Sequence, residues 1–130
     1  MSKYKIAFAI SGLPRSPNEL LGAHWTIRAG HAKKWLKLVE RALMLNGRPP
    51  AEPLPFAHVH CVRLSSGVMD DDNLRSSFKS VIDSLVRLKV LTDDDPAHMV
   101  ATYSHEAARP KYGSIRIVVE EIPKPVKGEL

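Results

Sequence analysis

Residues 70–96 read DDDNLRSSFKSVIDSLVRLKVLTDDDP. Leu74, Phe78, Val81, Leu85 and Leu88 recur at steps of four, three, four and three, the period of one face of an α-helix. Asp72 or Asn73 can cap its start, because a short side-chain oxygen there accepts from an otherwise orphaned backbone N–H. The helix must end before Thr92-Asp93-Asp94-Asp95-Pro96, since proline breaks the ladder and biases the residue before it away from helix. A helix with a single apolar face needs a second layer to bury it.

Segments on either side supply that layer. Phe56 to Leu64 reads as a strand, as does Met99 to Ser104. From Ser114 to Glu120, Ile115, Ile117 and Val119 alternate with Ser114, Arg116 and Val118. Ile6 to Ile10 is a further strand, too uniformly apolar to alternate. With Met1 to Lys5 before it, this run has the look of a short signal peptide. It breaks at Gly12-Leu13-Pro14-Arg15 without a small-residue cleavage pattern, so a strand is the better reading. A helix begins at about Gly30, with Trp35, Leu38, Val39, Ala42 and Leu45 on one stripe, and Asn46-Gly47 closes it. Arg48 to Pro55 holds four prolines and makes an extended connector. Arg109-Pro110-Lys111-Tyr112-Gly113 forms a basic hairpin loop. The expected fold is α+β: a compact single domain over residues 1–122, with a mixed β-sheet and two helices in the order β-α-β-α-β-β. Residues 123–130 read as a flexible tail.

The 130 residues suit one core. The apolar fraction of 44% and charged fraction of 25% are those of a globular chain, which excludes a disordered one. Cys61 is alone, so no intramolecular disulfide forms, and a reducing, cytoplasmic setting fits. No run approaches the ~20 apolar residues of a membrane helix. The net charge of +5 suits a polyanionic partner. Arg28, Lys33, Lys34, Lys37, Arg41 and Arg48 crowd one region, whereas the acids cluster at residues 70–72 and 93–95.

Each acidic run has a structural explanation by itself: a helix start for the first and a polar turn for the second. Together they invite a cation, because adjacent carboxylates repel one another unless something offsets their charge. In an extended segment Asp70 and Asp72 point to one side and can share an ion, with Asp71 facing away. Hard divalent cations take such oxygen ligands, and a bound metal activates water toward phosphodiesters. His58 and His60 alternate on one strand face but lack partners at zinc-ligand spacing. Cys61 reads as a small buried hydrophobe.

Residues 70–100 resemble the central motif of the RusA family of Holliday-junction resolvases. That motif is an Asp-x-Asp-Asn turn, a helix bearing Lys and then Asp four residues later, and an Asp-Asp pair after the helix. Asp70-Asp71-Asp72-Asn73, Lys79 with Asp83, and Asp93-Asp94 are the corresponding residues. The Pro-containing loop Leu13 to Asn18 after the first strand is similar too. Lys79 stands three positions later, relative to Asn73, than the pattern has it. Ser76 occupies the pattern's position and Arg75 is the nearest other cation.

The resemblance implies a homodimeric endonuclease that cuts four-way DNA junctions symmetrically. Asp70, Asp72 and Asp94 would hold Mg2+ (or Mn2+), and Lys79 would contact the phosphate. Arg15, Trp25, Arg28, Lys33, Lys34, Lys37, Arg75, Arg109 and Lys111 are the expected DNA contacts, with Trp25 placed in a loop. A junction-binding protein that does not cut is the alternative.

Overall fold

The computed structural model describes residues 3–67, 69–109 and 112–125, so the expected tail is described only in part and residues 126–130 lie outside. The first strand, β1 (Lys5–Ser11), alternates strictly, with Ile6, Phe8 and Ile10 buried and Ala7 and Ala9 exposed. The alternation was hidden in the sequence because alanine on the outer face is itself apolar. A single turn, α1 (Pro17–Leu20), follows. Ser16 caps it: Glu19 N donates to Ser16 Oγ and Ser16 N donates to Glu19 Oε1, each at 3.2 Å. This reciprocal box is written in Ser16-Pro17-Asn18-Glu19.

The long helix α2 (Trp25–Asn46) starts five residues before Gly30. Its first turns show no apolar period, since Trp25 and Ile27 are exposed. Trp25 therefore opens a helix and does not sit in a loop. The buried stripe is Trp35, Val39, Ala42 and Leu43; Leu45 lies off its edge and is exposed. Gly47 ends the helix at φ 155°, a conformation open to glycine. The proline-rich connector is tied to residues 90–92 outside the sheet, where Leu54 bridges to Leu91, Leu54 N donates to Val90 O and Thr92 Oγ1 donates to Leu54 O.

Then come β2 (Ala57–Ser65), α3 (Asp71–Ser77), α4 (Lys79–Arg87), β3 (Met99–Ala107) and β4 (Ser114–Glu121). The predicted order β-α-β-α-β-β holds, with α3 and α4 forming one helical run interrupted at Phe78. Phe78 N donates to Arg75 O at 3.2 Å, a tighter turn than an α-helix makes. The sheet order is β1-β4-β2-β3; β4 is antiparallel to both neighbours and β2 is parallel to β3. A parallel pair needs a crossover, and α3–α4 is that crossover. Both long helical elements cover one sheet face. Trp35, Val39 and Leu43 of α2 join Phe78, Val81 and Leu85 over Phe8, Val59, Cys61, Ile115 and Ile117 in one core. Each such side chain contributes about 1.5–3 kcal/mol by leaving water.

Candidate functional site

The first acidic run enters a helix. Asp70, extended at φ −69° and ψ 162°, is the N-cap of α3. Its Oδ1 accepts from Asn73 N at 2.8 Å and its Oδ2 from Asn73 Nδ2 at 3.0 Å. The cap thus lies two residues before Asp72 and three before Asn73, the two expected caps. Asp71 and Asp72 fall in its first turn, where their charge complements the dipole. The extended geometry expected of residues 70–72 is absent, because a helix rotates successive side chains by about 100° and does not align alternate ones. Asp72 instead shares a face with Ser76, whose hydroxyl donates to Asp72 O at 2.8 Å. Among the described residues the Asp72 carboxylate has no hydrogen bond or ion pair.

A cleft of about 590 Å³ lies between the α1–α2 region and α4. Arg15, Arg28, His31, Lys79, Asp83 and Asp94 line it beside apolar Leu20 and Leu36. An adjoining recess of about 280 Å³ shares Lys79, Asp83 and Asp94 and adds Arg75, Ser76 and Tyr103. Of the expected site residues, Arg15 and Arg28 therefore line the cleft, Arg75 lines the recess, and Lys79 and Asp94 line both. Asp72 stands one turn beyond Ser76, and neither Asp70 nor Asp72 lines the cleft or the recess.

Electrostatics here are mixed. Lys79 Nζ is 3.6 Å from Asp83 Oδ2, a half-exposed i,i+4 pair. The Arg75 guanidinium lies over the Tyr103 ring, 5.6 Å from its centroid. Burial raises the Tyr103 hydroxyl above its ordinary range, with Cys61 adding to the shift and Arg75 opposing it. His31 Nε2 accepts from Arg15 N at 3.0 Å, which requires that nitrogen to be unprotonated. Burial lowers the His31 pKa, with Arg15 and Lys34 adding to the effect and Glu19 opposing it. Sequence reading did not select His31 or Tyr103. His31 was legible as the residue three after Arg28 and four before Trp35, on the helix edge between cleft and core.

Three carboxylates suit a hard cation in kind, but their positions do not form one centre. The ligand atoms of Asp70, Asp72 and Asp94 do not all lie within 4.8 Å of one another, although Asp94 shares a recess with Arg75 and Ser76, one turn on from Asp72. Among the described residues, the group of three acidic and histidine side chains whose ligand atoms lie within 4.8 Å of one another is Asp93, Asp95 and His98. His98 Nδ1 is 2.6 Å from Asp95 Oδ1, and Ala97 N donates to that oxygen at 3.1 Å. The second run is thus a turn that folds its side chains onto itself, followed by a histidine that the sequence reading did not connect with it.

The expected DNA contacts separate into groups. Lys33, Lys34, Lys37 and Arg41 line a shallow groove on the outer side of α2 with Leu38, off the buried stripe as expected. Trp25 is 65% exposed at the start of that helix. Arg109 borders a third recess, with Gly12, Ser65 and Ser66, at the end of the sheet where β1 and β2 finish. Lys111 lies outside the described residues. Cys61 is buried, and burial pushes its thiol up to about 12, so it is no nucleophile at neutral pH.

Fold and site together define an α+β domain with a four-stranded mixed sheet and a cationic cleft that carries carboxylates. Comparison with known protein families and with curated proteins finds no match for this chain. No helix among the described residues is long and apolar enough to cross a membrane.

Proposed function

We propose that the chain is a metal-dependent endonuclease of the RusA type, acting as a homodimer on branched DNA with magnesium as its metal. The observation that carries this reading is the pair of adjoining depressions that share Lys79, Asp83 and Asp94, with Arg15 and Arg28 lining one and Arg75 the other, which brings cations from separate elements near Asp94. Cations placed there neutralise phosphate charge, and neutralisation counts most where negative charge builds during cleavage. Lys33, Lys34 and Lys37 extend the positive surface along α2 and suit backbone contacts, which read DNA shape more than sequence. A twofold dimer matches the twofold symmetry of a four-way junction.

Magnesium commonly keeps several waters and takes only one or two protein carboxylates. For one ion to engage Asp70, Asp72 and Asp94 together, their carboxylates must close on one another, since they do not all stand within 4.8 Å. The test is cleavage of a labelled synthetic junction in magnesium or manganese by wild type, Asp72→Asn and Asp94→Asn. Paired cuts that fall at least about a hundredfold in both variants support the reading. The separation of the carboxylates and the pairing of Lys79 with Asp83 favour a second reading, a junction-binding protein that does not cut. Tight junction binding with no cut in either metal selects it. Absence of any preference for branched over linear DNA overturns both.

A further inference from the structure

The sheet face turned away from the helices carries a group of side chains that the cleft does not use. His58 and His60 stand two residues apart on β2, so both leave that face. Because β2 is an inner strand, bonded to β4 on one side and β3 on the other, their backbone is held from both sides. His58 Nε2 lies 2.8 Å from Thr102 Oγ1, and His60 Nδ1 lies 2.6 Å from the same oxygen. Two ring nitrogens are thus aimed at one point above the sheet, separated by no more than those two distances laid end to end. The register sets Glu120 of β4 directly opposite His58 on the same face. Directly opposed residues of an antiparallel pair have Cβ atoms about 5 Å apart. Among the described residues the Glu120 side chain is engaged by Lys5 alone, at 3.9 Å, with the two side chains 44% and 60% exposed. Such a surface pair holds its carboxylate weakly.

We propose that His58, His60 and Glu120 form a binding site for a divalent transition-metal ion of the imidazole-seeking class, with zinc as its representative. Imidazole nitrogen suits zinc, nickel, copper and cobalt, whereas magnesium takes oxygen donors, so the donors here select against the cleft's proposed metal. The three donors do not all stand within 4.8 Å of one another, so zinc–nitrogen bonds of about 2.0–2.1 Å require the two nitrogens to close toward the ion and Glu120 to swing from Lys5, which side-chain rotation supplies without moving the strands. Thr102 Oγ1 marks the point where the two nitrogens converge, one accepting from its hydroxyl and the other donating to it, so one imidazole changes tautomer when the metal binds. Its hydroxyl can be displaced or can orient a ring nitrogen from behind, as partners of metal-bound histidines do. Three protein donors leave a coordination position for water or an outside ligand. The ion would join β2 to β4 through residues that line neither the cleft nor the recess beside it, so the proposal does not rest on the nuclease reading.

The test is calorimetric titration of zinc chloride into the full chain at neutral pH. It compares wild type, His58→Gln/His60→Gln, and Asp93→Asn/His98→Gln, the last removing the competing group in the 93–98 turn. The expected result is one zinc per chain in wild type, with affinity lowered at least about tenfold in His58→Gln/His60→Gln and unchanged in Asp93→Asn/His98→Gln. Imidazole NMR resonances of His58 and His60 shift on zinc addition, and metal-free unfolding curves of the histidine variant match wild type. No stoichiometric binding, unaltered binding in His58→Gln/His60→Gln, or loss in Asp93→Asn/His98→Gln each overturns the assignment.

Discussion

Asp70-Asp71-Asp72 and Asp93-Asp94-Asp95 are the same tripeptide put to different local uses. The first runs into Asn73 and Leu74, which permit a helix, and Asp70 becomes its cap. The second runs into Pro96, and its side chains fold back on their own turn. Asp93 Oδ1 accepts from Asp94 N at 2.7 Å, and Asp95 Oδ1 accepts from Ala97 N. In both runs the structural role falls on particular members, and Asp72 and Asp94 keep side chains without hydrogen bonds or ion pairs among the described residues. Structural and chemical readings of an acidic run are therefore not exclusive. They belong to different residues of the run, and the residue that follows it decides which.

The most forceful way to break this comparison acts on the link between the runs. Phe78 is fully buried at the turn between α3 and α4, so Phe78→Ala removes the packing that holds the start of the crossover over the sheet. A loss of about 3–5 kcal/mol is expected in urea unfolding, as for other large core aromatics. A loss below about 1 kcal/mol would mean that the interruption is not anchored by the core. The division of roles within the first run is sharpened by Asp70→Ala, expected to cost about 1 kcal/mol through the lost cap. Asp72→Ala, by contrast, removes only a dipole interaction of a few tenths of a kcal/mol. Equal costs for the two substitutions would contradict the assignment of the cap to Asp70.

The crossover helix and β4 were legible in the sequence because their buried residues are large and their exposed residues polar, so period and burial coincide. Leu74, Phe78, Val81 and Leu85 are all buried as their spacing indicates. The start of α2 was not legible, since Trp25 and Ile27 are apolar yet exposed and a pattern rule assigns such residues inward. The site was legible by composition and not by geometry. Sequence places aspartates at the two ends of a helix, but whether they meet depends on the path of residues 88–98. That path is set by the left-handed conformation of Lys89 at φ 66° and by the bridge from Leu54 to Leu91, neither of which has a local signal.

His31, in the cleft that borders Asp94, offers a smaller and pH-dependent test. Its pKa is lowered in the folded state, chiefly by burial. The unfolded chain therefore takes up the proton first, at about pH 6.5, the ordinary histidine value. Where the unfolded state binds more protons, stability falls as pH falls. Stability should decline below about pH 6.5, and His31→Gln should flatten that decline in unfolding midpoints compared between pH 7.5 and 5.5. An unchanged slope in the variant would assign the decline to other groups.

The smallest expected effect separates the two roles open to Lys79. Its pair with Asp83 is 3.6 Å long, with the side chains 60% and 47% exposed. Lysine also precedes the acid along the helix, the weaker orientation for an i,i+4 pair. A double-mutant cycle of Lys79→Ala and Asp83→Ala should return a coupling of no more than about 0.3 kcal/mol, falling with added salt. So weak a pair does not explain a lysine between two runs of aspartates on structural grounds, and it leaves the ammonium free to turn toward a phosphate. Junction cleavage lost in Lys79→Ala, with stability nearly unchanged and cleavage retained in Asp83→Ala, would assign Lys79 to chemistry on the Asp94 side of the comparison. A coupling above about 1 kcal/mol would exceed the range of exposed pairs and return Lys79 to the helix as a structural residue.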